Sequence, residues 1–564
     1  MSAEKPNFNI NVSKSDFYTI RNKNYYYIDK TKFIEELITY APDGISLITR
    51  PRRFGKTLTL SMLNEFFSIK NRNDKNIFDG LEIDKNKKIC NEWQNKFPVL
   101  SISLKDLNKF KYESTLYIVS DLIHDLCIEH SYLLESKNVS DSIKSRIQNL
   151  LSGNPTENDL ALSLKTISQA LYFHYNCSVI VLIDEYDVSL NYAYNNNYYD
   201  EMLDFFRTFF GALLKDNPYI QLAVLTGCLR IAKESVFTGF NNFRCYSIYD
   251  DLFSDKFGFT DSEIDKILED TNLLDKKQDI KEWYDGYTFG SVNNIYCPWN
   301  VLNYVFDVQY QNITKPKLYW INTSENKIVQ QLIEKADIPI DNKRQKIEDL
   351  LSGGSINVDI DENITFRNLY RSENTFFNVL LMTGYLTKKD CNYYDNSVKL
   401  AIPNKEIKTI IKIYVNEWFK EKIKSVDRKD FFQAFWDGNE KTVEEIISDF
   451  LLQYISYYDS HYEFCHGFVA GLFIGSGYKI HSNKEYGDGR PDIVVYDEKN
   501  NRLAIIEVKH TNNIDSFRTL ARKALQQILT SEYDKLFEKE GYTDILHCGL
   551  AFFKKRCNAL FFKR

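Results

Sequence analysis

The 564-residue chain is poor in glycine (22), proline (11) and methionine (4), and its ten cysteines include no C-x-x-C pair. That scatter argues against a zinc ribbon and a disulfide framework, and for a reducing compartment. No apolar run approaches the roughly 18–20 residues of a membrane span, so no membrane partner is expected. The first residues, Met1-Ser2-Ala3-Glu4-Lys5-Pro6, are polar and lack the apolar core of a secretory signal, so a cytoplasmic, intracellular protein is expected. A basic excess is missing too. The net charge of −7 counts against a large non-specific footprint on phosphates, although the distribution of charge matters more than its sum. Repeats and low-complexity tracts are absent apart from the tyrosine- and asparagine-rich stretch Tyr192 to Tyr199, expected as a surface loop. What the chain does have is length for about three domains, with 43% hydrophobic residues to build their cores.

The most informative spacing lies near the C-terminus: Pro491-Asp492, then Glu507-Val508-Lys509. The apolar run Ile493 to Tyr496 follows the first acid, and Leu503 to Ile506 leads into the second. The polar turn Asp497 to Asn501 separates them. This predicts a β-hairpin with the two carboxylates on neighbouring strands. Lys509 falls on the face of Glu507, because side chains alternate along a strand. Two carboxylates can hold a divalent metal that activates water and shields phosphate charge, with the lysine orienting the nucleophile or stabilising the transition state. That is the layout of a phosphodiesterase site. A solvated hairpin, or a remnant that binds without cutting, competes with it.

A second constellation lies near the N-terminus. The apolar strand Ile45 to Thr49 runs into Arg50-Pro51-Arg52-Arg53-Phe54-Gly55-Lys56-Thr57 and then the helical stretch Leu58 to Phe67. Strand, loop, Gly-Lys-Thr and helix form the context of a phosphate-binding P-loop. Backbone N–H groups from Arg52 to Leu58 would cradle the phosphates. Lys56 would reach the β- and γ-phosphates of ATP, and the Thr57 hydroxyl would bind Mg²⁺. Arg50 replaces the usual first glycine. A partner strand, Ser178 to Ile183, ends in Asp184-Glu185. Its unbroken apolar run predicts a buried parallel strand, with Asp184 on the Mg²⁺ and Glu185 as general base. A third strand, Gln221 to Gly227, carries Thr226, placed to contact the γ-phosphate or the attacking water. Arg230 just beyond either acts on the phosphate or is an ordinary surface arginine.

Both constellations carry a family resemblance. The C-terminal pattern resembles the PD-(D/E)xK nuclease superfamily. That likeness implies an acidic metal ligand on an upstream helix, matched by Glu463, and a glutamine on a following helix, matched by Gln526-Gln527, with Gln527 as the site residue. Over nearly its whole length the chain is similar to the AAA-ATPase-like family that carries a C-terminal PD-(D/E)xK domain. The marks are Tyr27-Ile28-Asp29-Lys30-Thr31, Arg50 to Thr57, Ile183-Asp184-Glu185-Tyr186-Asp187, Phe237 to Asn242, Trp283 to Tyr287, Tyr319 to Ser324, Gly384 to Thr387 and Ala401 to Asn404. In that family Arg-Pro-Arg-Arg-Phe-Gly-Lys-Ser/Thr is itself the P-loop, so Arg50 does not argue against ATP. The resemblance implies an ATPase coupled to a metal-dependent nuclease using Mg²⁺ or Mn²⁺. It further implies nucleic acid as the substrate, with DNA expected ahead of RNA, a place in defence or mobile-element biology, and a homo-oligomer of the AAA type. The alternative is a signalling ATPase whose nuclease-like domain binds without cutting.

The expected fold class is α/β. A P-loop AAA-type parallel sheet occupies residues 1–255, a helical lid 256–310, a winged-helix-like region 311–425 and an α/β nuclease fold 426–564. Asp29 is expected to cap the helix beginning at Lys32. Basic patches at Arg518, Arg522-Lys523, Lys554 to Arg556 and Lys563-Arg564 either hold a strand or form a solvated face. His466 and Arg490 lie close to the acidic motif.

Overall fold

The computed structural model describes residues 9–71, 76–229, 236–237, 240, 242–311, 313–320, 346–347, 349–360, 372–392, 396–414, 428–454, 462–473, 477–482, 490–511, 513–531 and 533–563. The chain divides into two compact units. One is formed by 1–338 with 355–410, the other by 339–354 with 411–564.

The first unit is built on a five-stranded sheet of β1 (Gly44–Thr49), β2 (Val99–Ser103), β3 (Val179–Asp184), β4 (Ile220–Gly227) and β5 (Phe243–Tyr246), in the order β2-β3-β4-β1-β5. Every pairing is parallel. β3 is buried at all six positions and β1 at five of six, as the continuous apolar runs require of a sheet covered on both faces. The helices Lys56–Phe67 and Glu157–Tyr175 pack against it. Register sets Thr226 of β4 beside Ile48 and Gly227 beside Thr49 of β1, so the carboxyl ends of β1, β3 and β4 lie together. Ligands of open α/β sheets bind at such an edge.

Three helices follow, Asp261–Asp270, Lys277–Tyr284 and Pro298–Tyr310, around a core that includes Phe259, Ile264, Tyr284, Val301 and Tyr304. The hairpin of β6 (Tyr287–Phe289) and β7 (Val292–Ile295) lies between them. Beyond it stand β8 (Ile356–Asp359), the helix Glu373–Thr383, β9 (Thr387–Asn392) and β10 (Ser397–Ala401), the strands pairing antiparallel as β8-β10-β9.

Two local expectations are corrected. The stretch from Tyr192 to Tyr199 is no surface loop. It runs through the end of the helix Val188–Asn195 and into the helix Tyr199–Leu214, with Tyr198 and Tyr199 buried. Apolar residues at helical spacing, Tyr199, Met202, Leu203, Phe206 and Phe210, override the loop-like asparagines. Nor does Asp29 sit at the helix N-cap, which is Thr31. Its Oδ1 accepts from Thr31 N (2.8 Å) and Oγ1 (2.7 Å), and its Oδ2 accepts from Glu82 N (2.7 Å).

The second unit holds the helices Lys429–Trp436, Glu440–Tyr454, Tyr462–Phe473 and Ile514–Thr530. Its sheet contains β11 (Lys479–Ser482), β12 (Ile493–Asp497), β13 (Arg502–His510), β14 (Asp544–Phe553) and β15 (Arg556–Lys563), in sequence order. Only β13 and β14 run parallel, joined by the crossover helix Ile514–Thr530. Alternation sorts the side chains. Ile493, Val495, Ala504, Ile506 and Val508 pack towards the first three helices, while Val494, Tyr496, Leu503 and Ile505 face Ile528 of the crossover helix. Gly549 on β14 allows that helix close, since a Cβ there would stand 2.4 Å from Ala521 O.

Candidate functional site

At the carboxyl edge of the parallel sheet lies a cavity of about 490 Å³, lined by the loop residues Arg52 to Thr59 and by Glu185. Gly55 stands at the helix N-cap with φ +91°, a conformation that glycine adopts without strain. The buried Lys56 ammonium donates to Arg50 O (2.8 Å) and Pro51 O (3.0 Å), held along the loop. Asp184 receives two hydroxyls, Thr57 Oγ1 on Oδ2 at 2.6 Å and Thr226 Oγ1 on Oδ1. A hydroxyl and a carboxylate in contact at a phosphate loop fit Mg²⁺. Glu185 takes φ +54°, a left-handed conformation rare for a side-chain-bearing residue. Burial, and then the neighbouring Asp184, push its carboxyl above the ordinary value, towards what a general base needs.

Thr226 is placed differently from the expectation of a phosphate contact. It is buried, gives its hydroxyl to Asp184 and is not among the cavity's lining residues. Its hydroxyl holds one oxygen of that carboxylate in place. Tyr186 and Asp187 complete the clamp. Tyr186 Oη donates to Leu229 O (2.6 Å), and Asp187 Oδ2 accepts from Cys228 N (3.0 Å) and Leu229 N (2.8 Å). Gly227 is needed beneath them, because a Cβ there would lie 2.5 Å from the Tyr186 ring.

Arg50 turns inward. It is fully buried, its Nη1 donates to Thr49 O (2.8 Å) and Tyr246 O (3.0 Å), its Nη2 donates to Phe253 O (3.2 Å), and its guanidinium lies over the Phe257 and Phe289 rings. The residue in the usual glycine position therefore braces the loop from behind. Restoring glycine with Arg50→Gly is expected to lower stability by about 3 kcal/mol or more, since hydrogen bonds to charged groups count for about 1.5–3 kcal/mol each. Thermal melting reads this, and ATP affinity should fall, not rise. Arg53, on the cavity wall, is likewise held by its neighbours. It stacks 4.2 Å over Trp299 and donates from Nη1 to Tyr319 O (2.8 Å). The Phe54 side chain is buried against Tyr287, Phe289 and Trp320, which leaves only its backbone available to a ligand.

Glu406 lies close to this bracing. It is fully buried, accepting from Trp320 N (2.9 Å) on Oε1 and from Asn300 Nδ2 on Oε2, and burial lifts its carboxyl from 4.5 to about 7. A carboxyl with a raised folded pKa holds its proton more tightly in the folded state. Its contribution is thus fully present below pH 4.5 and is lost as pH rises through about 7. Melting temperature should fall between pH 5 and 8, by the equivalent of about 3 kcal/mol at most. Glu406→Gln should flatten that slope.

In the second unit, Ile493 pairs with Ile506 across the hairpin, which sets Asp492 next to Glu507. Strand parity turns Glu507 and Lys509 towards the crossover helix. Lys509 Nζ donates to Glu507 Oε1 (2.8 Å), Gln527 Nε2 donates to the same oxygen, and Asp492 Oδ2 accepts from Val508 N (2.8 Å). Glu507 Oε2 is buried with no hydrogen-bond partner among the described residues. Burial is the main cause raising the Glu507 carboxyl, and the Asp492 charge adds to it. An orphaned, desolvated carboxylate oxygen beside a second carboxylate fits a divalent cation, which needs only one or two protein carboxylates alongside water and phosphate. Among the described residues no cluster of three ligand side chains occurs. Glu463 lies on the helix Tyr462–Phe473, and its side chain falls outside the described residues, as does Arg230 altogether. Three residues after Glu463, His466 places Nε2 3.0 Å from Asp492 O and 3.2 Å from Ser482 Oγ. A carbonyl only accepts, so Nε2 carries the proton in that bond. Gln526 is exposed, and it is Gln527 that reaches the site.

Sequence reasoning passed over the far wall of the cavity: Asn11 to Ser15, Lys256, Phe259, Trp299 and Leu302. These residues lie hundreds of positions apart, and no local pattern joins them. The nearest signal was the Tyr27 to Thr31 motif, which contributes Tyr27, Ile28 and Lys30.

Two family models match the chain, one over the region of each constellation. Residues 11–237 match the AAA-ATPase-like family, described as "Predicted AAA-ATPase". Residues 461–562 match a family of the PD-(D/E)XK nuclease superfamily. An uncharacterized protein in the vnfD 5′ region of Azotobacter chroococcum mcd 1 is 25% identical over 287 residues, 50% of this chain and 48% of that protein. The chain thus spans about half the length of the curated relative it matches. The ORC2 protein of Aeropyrum pernix, solved in ADPNP–ADP complexes, aligns over 70% of this chain and 97% of its own at 10% identity and a TM-score of 0.26. No property of this chain follows from a likeness that low. Among the described residues no helix is long and apolar enough to cross a membrane.

Proposed function

We propose that this chain, which joins an AAA-ATPase-like domain to a domain of the PD-(D/E)XK nuclease superfamily, hydrolyses ATP and makes metal-dependent cuts in nucleic acid, with DNA as the substrate. The observation that carries the nuclease reading is the buried, unpartnered Glu507 Oε2 beside Asp492, with Lys509 and Gln527 holding the other oxygen.

Asp492 and Glu507 would hold the cation of the nuclease site, with Glu463 as the third ligand. Thr57 and Asp184 would hold Mg²⁺ at the P-loop. A divalent cation, when bound, neutralises phosphate oxygens and lowers the pKa of water. The residues supply the rest. Lys509 leaves Glu507 to meet the charge that develops on the scissile phosphate. Gln527 keeps the Glu507 carboxylate oriented, and His466 fixes the main chain at Asp492. In the cavity, backbone N–H groups of the loop and Lys56 bind the phosphates, and Glu185 accepts the proton of the attacking water.

The test is incubation of purified protein with single- and double-stranded DNA and with RNA, in Mg²⁺ or Mn²⁺, with and without ATP. Cleavage of DNA that EDTA abolishes supports the reading. Intact substrates in every condition, with ATP turnover present, would leave the binding-only switch in its place.

A further inference from the structure

The crossover helix Ile514–Thr530 does more than carry Gln527 to the nuclease site. From Ser516 to Ser531 it contains no aspartate or glutamate, in a chain with 78 of them and a net charge of −7. Ala521, Ala524 and Ile528 are buried beneath it, and the close approach over Gly549 seats it firmly on β14. The outward face carries Arg518, Thr519, Arg522, Lys523, Gln526 and Gln527, all exposed. Every one of them offers hydrogen-bond donors. Arg518, Arg522 and Lys523 make no ion pair with any described residue. Lys523 stands one turn before Gln527, and Arg518 about 13 Å along the axis from it at 1.5 Å per residue.

We infer that this face is the track for the sugar–phosphate backbone of the nucleic acid, with the strand running from the cleavage site at Gln527 towards the helix N-terminus at Arg518. The inference rests on the nuclease reading and deepens it. Three cations that pair with no described residue, on a helix whose one acid, Asp515, lies in its first turn, attract phosphates without reading bases. The salt dependence of binding should therefore carry their number, with slopes of about −0.9 per neutralised phosphate for duplex DNA and about −0.7 for a single strand.

The experiment compares full-length wild type with the triple variant Arg518→Gln, Arg522→Gln, Lys523→Gln. Binding to fluorescein-labelled single-stranded DNA, duplex DNA and single-stranded RNA is measured by anisotropy in EDTA across a salt series. The variant should bind about 10- to 100-fold more weakly, with a log–log salt slope shallower by about 2 to 3. Its melting temperature should be unchanged, because all three side chains are exposed. Its cleavage should show a raised KM, with kcat held within about threefold. The probe that loses most identifies the strand type. A wild type that binds and cuts, beside a variant with unaltered affinity and slope, overturns the track and leaves the nuclease standing. A wild type that neither binds nor cuts any probe overturns both.

Discussion

Lys509→Ala is expected to remove phosphodiester cleavage while ATP turnover stays at the wild-type rate. Lys509 lies only two residues beyond Glu507, and its ammonium is bonded to that carboxylate at 2.8 Å. Loss of a preorganised group that meets developing charge costs about 10²- to 10³-fold in kcat, which brings a slow nuclease to the detection limit. The fold should survive, because the lysine is about a third exposed and such pairs add little to stability. Gln527 remains on Glu507 Oε1. Lys509→Arg should not rescue fully, since a planar fork does not replace a compact ammonium. Asp492→Ala should be as severe by another route, removing the carboxylate proposed to hold the cation and the acceptor for Val508 N. A gel assay beside a phosphate-release assay checks both. Cleavage by Lys509→Ala equal to wild type would mean that the cut is made elsewhere.

The parts of this molecule that were legible in its sequence are those set by short-range rules. β1, β3 and β4 read as unbroken apolar runs because a parallel strand is buried on both faces, and they appear within a residue or so of the expected limits. The hairpin of Asp492 and Glu507 was legible because a period of two assigns each side chain to a face, and Lys509 had to follow Glu507. What stayed hidden depends on direction and distance. A motif gives the position of Arg50 and is silent on whether its side chain turns to the phosphates or, as here, back towards Tyr246 and Phe253. Thr226 lies at the expected strand end, yet its hydroxyl is taken by an aspartate 42 residues earlier. The choice of Gln527 over Gln526 is decided by which helical face Ala521, Ala524 and Ile528 bury, and that required the sheet. The cavity wall at Trp299 and Leu302 is a product of tertiary packing alone.

Glu185→Gln should bind ATP as tightly as wild type and turn it over about 10²- to 10⁴-fold more slowly, the usual worth of a general base. The amide keeps the shape of the side chain that lines the cavity but cannot take a proton. The raised carboxyl of Glu185 has a clear cause in burial and the Asp184 charge, and its left-handed backbone holds it at the strand end despite the strain. Lys56→Ala should fail earlier, at binding. Truncating one partner of a buried charged contact costs about 2 kcal/mol or more, at least roughly 30-fold in Kd. It also frees the Arg50 and Pro51 carbonyls that the ammonium now ties together. A fluorescent ATP analogue separates the two, with full binding in one and little in the other. Together they decide what ATP does for the nuclease. If Glu185→Gln with ATP cuts as wild type does and Lys56→Ala does not, the bound nucleotide licenses cleavage. If both are silent, each cut requires turnover. If Glu185→Gln hydrolyses ATP at the wild-type rate, Glu185 is not the base, and its place at the cavity is structural.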